Sequence, residues 1–270
     1  MSNIFLRAIT GSLFVALMVA STQWPWLFDV LCLVFPALCV WELMRMFGYK
    51  IWVSIITVLL VSFISTSYLE YIIQIEMTFY WIALVLIGVL IFSNIKKKGN
   101  SNTAITFLGL LYIIISFYCY FHLSYVSTIR NVAGETRSVL ILPMLIFIWT
   151  NDSFAYLIGR KIGKTPLAPS ISPKKTIEGT LGGLVYTILV AILLKYIYVI
   201  PEGNWFYVWA LLVSVSATVG DLLESKVKRI AGVKDSGNLL PGHGGFLDRL
   251  DAMLLCSIVS FLFFKFVPLF

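Results

Sequence analysis

Long apolar stretches separated by short polar breaks dominate this chain, and their lengths set the first expectation. A helix that crosses the hydrocarbon of a bilayer needs about 20 mostly apolar residues. Nine stretches of that order occur, near 4 to 21, 26 to 46, 51 to 69, 75 to 94, 103 to 126, 138 to 159, 180 to 200, 205 to 227 and 247 to 267. The pattern predicts an all-α, polytopic integral membrane protein with about nine transmembrane helices. The first stretch carries only Arg7 ahead of its apolar run and has no small-residue cleavage site, so it is expected to be a retained span rather than a signal peptide. The segments between spans are short loops, with no room for a soluble domain.

Composition agrees with the pattern. Of 270 residues, 60% are hydrophobic and 12% charged, and the mean hydropathy is +0.94, which places the chain in the membrane class. Charge adds an orientation. Sixteen of the twenty Lys and Arg fall at the start of span one or in and beside the loops after spans two, four, six and eight, among them Lys96 to Lys98, Lys174, Lys175, Lys228 and Lys234. By the positive-inside rule that side is cytoplasmic, with the N-terminus inside and the C-terminus outside. The net charge of +7 is therefore a topology signal, and no nucleic-acid partner is expected. Cys32, Cys39, Cys119 and Cys256 lie in apolar segments without a CxxC pair, which favours packing over disulfide or metal.

The two halves differ in chemistry. Residues 1–137 supply about five apolar spans whose intramembrane exceptions are Asp29, Glu42 and His122. Glu42 is expected to pair with Arg45 at i+3, and His122 to be a hydrogen-bonded packing residue. Residues 138–270 supply about four helices and two cytoplasmic loops, 160–179 and 228–246, and are expected to form the catalytic region. Span six meets Asn151, Asp152 and Ser153. A basic loop with Ser172, Lys174 and Lys175 follows, in which Pro173 and Thr176 suit an ordered turn leading into a helix. Span eight turns polar at Asp221 and Glu224, and the glycine-rich turn Gly242 to Gly245 precedes Asp248 and Asp251.

Carboxylates at membrane depth cost about 2.5 to 3.5 kcal/mol each on the insertion scale, so something must offset them. Asp248 and Asp251 at i, i+3, and Asp221, Ser225 and Lys228 at i, i+4 and i+7, are each expected on one helix face. Carboxylates clustered without His or Cys suit a hard cation such as Mg²⁺. The plainer alternative is that Asp248 pairs with Arg249 or Lys228 and holds helices together. The surrounding Lys226, Lys228, Arg229 and Lys234, with glycines that let backbone N–H groups approach a ligand, point instead to a nucleoside triphosphate at the cytoplasmic surface. His243, flanked by glycines, is expected to hydrogen-bond a phosphate or stabilise a leaving group.

The stretch SKVKRIAGVKDSGNLLPGHGGFLDRLD, Ser225 to Asp251, resembles the signature of the phosphatidate cytidylyltransferase (CDP-diacylglycerol synthase) family. NDSFAYLIGRKIGKTPLAPSISPKKTIEGTLGG, Asn151 to Gly183, resembles that family's other shared block, with Ile177 where many members carry a bulky aromatic. The resemblance implies a membrane enzyme that converts CTP and phosphatidate to CDP-diacylglycerol and pyrophosphate. It further implies Mg²⁺ at Asp221, Asp248 and Asp251, with a second cation left open. It implies Lys228, Arg229, Lys234 and His243 at the phosphates, and Arg249 on an aspartate or a phosphate. Ser172, Lys174 and Lys175 belong to the shared block and are implied in substrate binding, together with Asn151 and Asp152. The expected setting is a bacterial-type inner membrane with the site facing the cytoplasm and a homodimer as a possible assembly. The rival reading is an ion-coupled transporter, which calls for carboxylates near mid-membrane and broken helices in corresponding halves.

Overall fold

The computed structural model describes residues 3–50, 100–129, 138–197, 204–240, 242 and 244–266. The predicted spans at 51 to 69 and 75 to 94, and His243, lie outside the described residues. Among the described residues the chain is mostly helical: α1 (Asn3–Gln23), α2 (Pro25–Met46), α3 (Asn100–Ile129), α4 (Ser138–Ile162), α5 (Ile177–Ile197), α6 (Trp205–Ile230) and α7 (Asp251–Phe266). Five of them, α2 to α6, contain stretches long and apolar enough to cross a membrane by length and composition. α7 has 16 residues, about 24 Å at 1.5 Å per residue.

Side chains face outward in a way that suits lipid. On α5, Leu181, Val185, Leu189 and Leu193 form an i, i+4 stripe, each more than half exposed, and Tyr196 beyond them is 85% exposed. A stripe of this kind on a soluble protein would be an aggregation surface. Polar hydroxyls inside the helices bond back to carbonyls one turn earlier, as Ser116 does to Tyr112 and Thr187 to Gly183, which removes their desolvation cost.

Two strands form in the basic loop, a local departure from the all-α expectation. β1 (Pro166–Ala168) and β2 (Ser172–Thr176) pair antiparallel with Pro166 opposite Thr176 and Ala168 opposite Ser172. The hairpin leads into α5 through Thr176, whose Oγ1 accepts the Gly179 N–H at 3.2 Å, an N-cap contact. Glu178 accepts the N–H groups of Lys164 and Thr165 at 3.1 Å, tying the hairpin's entry to the same helix end.

The chain divides into two compact units. One comprises Met1–Tyr118 and Val227–Arg249. Its aromatic centre is Phe14, Phe35 and Phe246, with Phe35 and Phe246 edge to face at 4.8 Å between ring centroids. The other comprises Cys119–Lys226 and Leu250–Phe270. Its core is built on Phe147, Phe206, Trp209 and Phe264, and Trp209 Nε1 donates to Ser260 Oγ at 2.8 Å. His122 packs between the rings of Phe121 and Phe261. The four cysteines are buried thiols.

Candidate active site

In the unit formed by Cys119–Lys226 and Leu250–Phe270, α6 presents Asp221 and Glu224 one turn apart, and α7 opens with Asp251. Each of the three offers a carboxylate oxygen, and these oxygens lie within 4.8 Å of one another. Gly220 makes the approach possible. A Cβ there would stand 2.8 Å from the Asp251 carbonyl oxygen, so only glycine lets α6 come this close to α7. At about 5 Å and an effective dielectric near 20, two carboxylates repel by about 3 kcal/mol. One lysine answers part of that: Lys175 Nζ stands 2.5 Å from Asp221 Oδ2, while Ser225 Oγ donates to Asp221 Oδ1 at 3.2 Å. The Ala252 N–H donates to Asp251 Oδ1 at 2.7 Å, and the three carboxylates present an all-oxygen donor set, the preference of a hard divalent cation.

The same unit places Asn151 and its neighbours. Asn151, 1% exposed, accepts from Ser214 Oγ at 2.7 Å and donates to Thr218 Oγ1 at 3.4 Å, so its side-chain amide ties α4 to α6 by hydrogen bonds. Asp152, next along, is exposed. On β2, Lys174 is exposed and Ser172 half-buried.

In the unit formed by Met1–Tyr118 and Val227–Arg249, the signature loop folds around Asp248. Lys228 Nζ donates to Asp248 Oδ1 at 2.6 Å, and Asp248 Oδ2 accepts the N–H groups of Ser236 and Gly245, each at 2.9 Å. The two side chains of the pair are 10% and 7% exposed. Burial pushes the Asp248 carboxyl up, but Lys228 and the two N–H donors outweigh it and hold the group below the ordinary carboxylate range. α6 ends under the loop, where Arg229 Nη1 donates to the Val233 carbonyl at 2.9 Å. Arg229, Lys234 and Arg249 are exposed. Arg7 Nε of α1 donates to the Gly242 carbonyl at 2.7 Å.

Three sequence expectations change here. Asp248 and Asp251 do not share a helix face: Asp248 lies in a 3-10 turn, Leu247–Arg249, and α7 begins at Asp251. The bonds from Ser236 and Gly245 to Asp248 fold the loop back and delay the helix. The Glu42–Arg45 pair does not form. Glu42 turns its carboxylate to the signature loop, and the exposed Arg45 guanidinium sits over the Trp41 ring at 5.3 Å, a cation–π contact. Glu224, absent from the expected metal set, joins Asp221 and Asp251. Its i+3 spacing from Asp221 is the same signal that singled out Asp248 and Asp251, and it would have found this residue.

A family model described as the cytidylyltransferase family matches residues 4–267. The chain is 37% identical over 181 residues to a phosphatidate cytidylyltransferase of Thermotoga maritima, covering 65% of this chain and 65% of that protein. It is 42% identical over 144 residues to one of Bacillus subtilis, covering 52% of this chain and 51% of that protein. It is 38% identical over 175 residues to one of Staphylococcus haemolyticus, covering 60% and 66%. The matched region thus spans less than two thirds of the length of each of these curated relatives.

Proposed function

We propose, from the premise that this chain belongs to the cytidylyltransferase family, that it transfers CMP from CTP to phosphatidate, giving CDP-diacylglycerol and pyrophosphate. The observation that carries the reading is the acidic trio Asp221, Glu224 and Asp251 with Lys175 against it, in a chain whose relatives bear the name of that activity. The setting is a bacterial-type inner membrane crossed by about nine helices, with the site opening to the cytoplasm. The partners are CTP, phosphatidate and bilayer lipid, no nucleic acid, and a second copy of the chain as a possible assembly.

Mg²⁺ fits the trio. The three carboxylate oxygens lie within 4.8 Å of one another and form the all-oxygen set that a hard divalent cation takes. Asp221, Glu224 and Asp251 would hold the ion, which when bound neutralises phosphate charge; a second cation is part of the same proposal. Asp248 was expected among the ligands. Its oxygens already accept from Lys228, Ser236 and Gly245, and we assign it to ordering the loop.

The reaction needs alignment and charge neutralisation more than a base. Phosphatidate's phosphate is ionised near neutral pH, so one of its oxygens attacks the α-phosphorus of CTP, the new P–O bond forms, and the α–β bond breaks to release pyrophosphate. Lys228, Arg229, Lys234 and His243 supply positive charge and hydrogen bonds to the polyphosphate. Arg249 holds an aspartate or a phosphate. Ser172, Lys174 and Lys175 on the hairpin bind substrate, and Asn151 and Asp152 support that region. Lys175, already beside Asp221, is placed to meet a substrate phosphate at the edge of the trio. The test is an assay in detergent with labelled CTP and phosphatidate, with and without Mg²⁺. Labelled CDP-diacylglycerol appearing only with Mg²⁺ supports the reading, and no transfer by well-folded protein overturns it.

A further inference from the structure

Glu42 is the most deeply buried carboxylate among the described residues, 0% exposed, near the C-terminal end of the apolar helix α2 and far from the signature in sequence. A charge there must be answered by donors. It is, and all three donors come from one loop. Glu42 Oε1 accepts the Phe246 N–H at 2.8 Å, and Oε2 accepts the Leu247 N–H at 2.8 Å and the Ser236 hydroxyl at 2.7 Å. The loop is shaped to receive it. A Cβ on Gly245 would stand 2.7 Å from Glu42 Oε2, and one on Gly237 would fall on Oε1, so both glycines leave space for the carboxylate. Phe246, whose own N–H makes one of these bonds, is seated on Phe35 of the same α2.

The same loop residues serve Asp248. Ser236 gives its hydroxyl to Glu42 and its N–H to Asp248, and Gly245 gives its N–H to Asp248 one residue before Phe246 gives its own to Glu42. Two carboxylates therefore draw on the same loop residues, Ser236 and Gly245–Leu247, and moving either displaces the donors of the other.

We propose that Glu42 is a positioning residue for the signature loop: it fixes the Ser236 and Gly245–Leu247 backbone so that the Asp248–Lys228 pair is held in register for the polyphosphate. The role of the loop in CTP binding rests on the function proposed above; the mechanical role of Glu42 does not. A glutamine is nearly isosteric but presents an NH₂ where one oxygen accepted, so it sets donor against donor at one side of the clamp.

The experiment measures hydrogen–deuterium exchange and steady-state kinetics on the full-length protein in detergent, for wild type, Glu42→Gln, Ser236→Ala and the double variant. Losing a buried charge-assisted bond should speed exchange in the 234–249 segment by about tenfold, with α4 and α5 unchanged. Ser236→Ala should give a smaller acceleration of the same segment and add little to Glu42→Gln, since coupled residues are non-additive. KM for CTP should rise about fivefold or more while KM for phosphatidate stays put. A residue that only stabilises the fold would lower the active fraction and leave both KM values alone. If Glu42→Gln does not fold, Ser236→Ala alone decides. Unchanged exchange in 234–249 overturns the proposal whatever the assay gives. Faster exchange with no CMP transfer by wild type leaves Glu42 as the clamp and overturns the proposed activity instead.

Discussion

The trio of Asp221, Glu224 and Asp251 and the loop pair of Glu42 and Asp248 are made of the same chemical group and differ in what answers their charge. Around Glu42 and Asp248 the protein itself supplies the donors: four backbone N–H groups, one hydroxyl and one ammonium. Around the trio the contacts include Lys175 and the Ser225 hydroxyl on Asp221 and the Ala252 N–H on Asp251, and three carboxylate oxygens are gathered within 4.8 Å of one another. A carboxylate whose oxygens are saturated by fixed donors is a structural strut. Carboxylates gathered from two helices with their oxygens within 4.8 Å of one another form a donor set suited to a hard divalent cation. The contrast assigns different work to acids only a few residues apart in the chain.

The contrast breaks most visibly at the trio. Glu224→Gln and Asp251→Asn are each expected to lower Mg²⁺-dependent CMP transfer by about 100-fold or more, with membrane insertion, checked by carbonate extraction, unchanged. Turnover near wild type in both would remove the trio from the site.

Asp248→Asn should act differently, through the fold. Removing one member of a buried pair costs about 3 to 5 kcal/mol, and here the same change also weakens the bonds from Ser236 and Gly245. The unfolding midpoint in detergent should drop by several degrees, and by more than for Lys228→Met, which deletes one of the three contacts to Asp248 that hold the loop. The reverse order would place the loop's stability in Lys228 instead. A pH dependence follows. Because the folded Asp248 carboxyl lies below its ordinary value, its stabilising contribution is present above the ordinary carboxylate range and lost as pH falls through the lowered value. Acid melting curves of wild type and Asp248→Asn should converge in that window and separate above it; parallel curves would contradict the assignment.

Gly220→Ala tests the geometry of the trio without touching a charge. Its Cβ would press on the Asp251 carbonyl, and about a tenfold weaker Mg²⁺ requirement constant is expected, given the sensitivity of ligand positioning to shifts of about 1 Å. The smallest effect belongs to Arg7→Ala. It deletes one exposed bond to Gly242, worth about 1 kcal/mol or less, and activity should stay within about twofold.

Hydropathy alone located the spans that the structure describes, because lipid leaves helices no choice but a long apolar stretch. α2 begins at Pro25 and α6 at Trp205, each within a residue of expectation. The errors came where side chains overrule period. Nothing local delays α7 to Asp251; the cause is the set of bonds that folds the Gly244–Arg249 segment onto Asp248. Glu42 looked like half of a local ion pair because Arg45 was the one cation at helical spacing, whereas its true partners lie about two hundred positions away. A buried acid in an apolar helix does announce an unseen partner, but the sequence cannot say which. Lys175 and Asp221 illustrate the same limit, since the first lies on a hairpin strand and the second on helix α6, 46 positions later in the chain.

The most direct test of the division between cation site and strut is Mn²⁺ binding followed by electron paramagnetic resonance in the full-length protein, for wild type, Glu224→Gln and Asp248→Asn. The account expects tight binding in wild type, about tenfold or greater weakening in Glu224→Gln, and binding retained in Asp248→Asn at a temperature where that variant is folded. Binding that survives Glu224→Gln and vanishes in Asp248→Asn would contradict it.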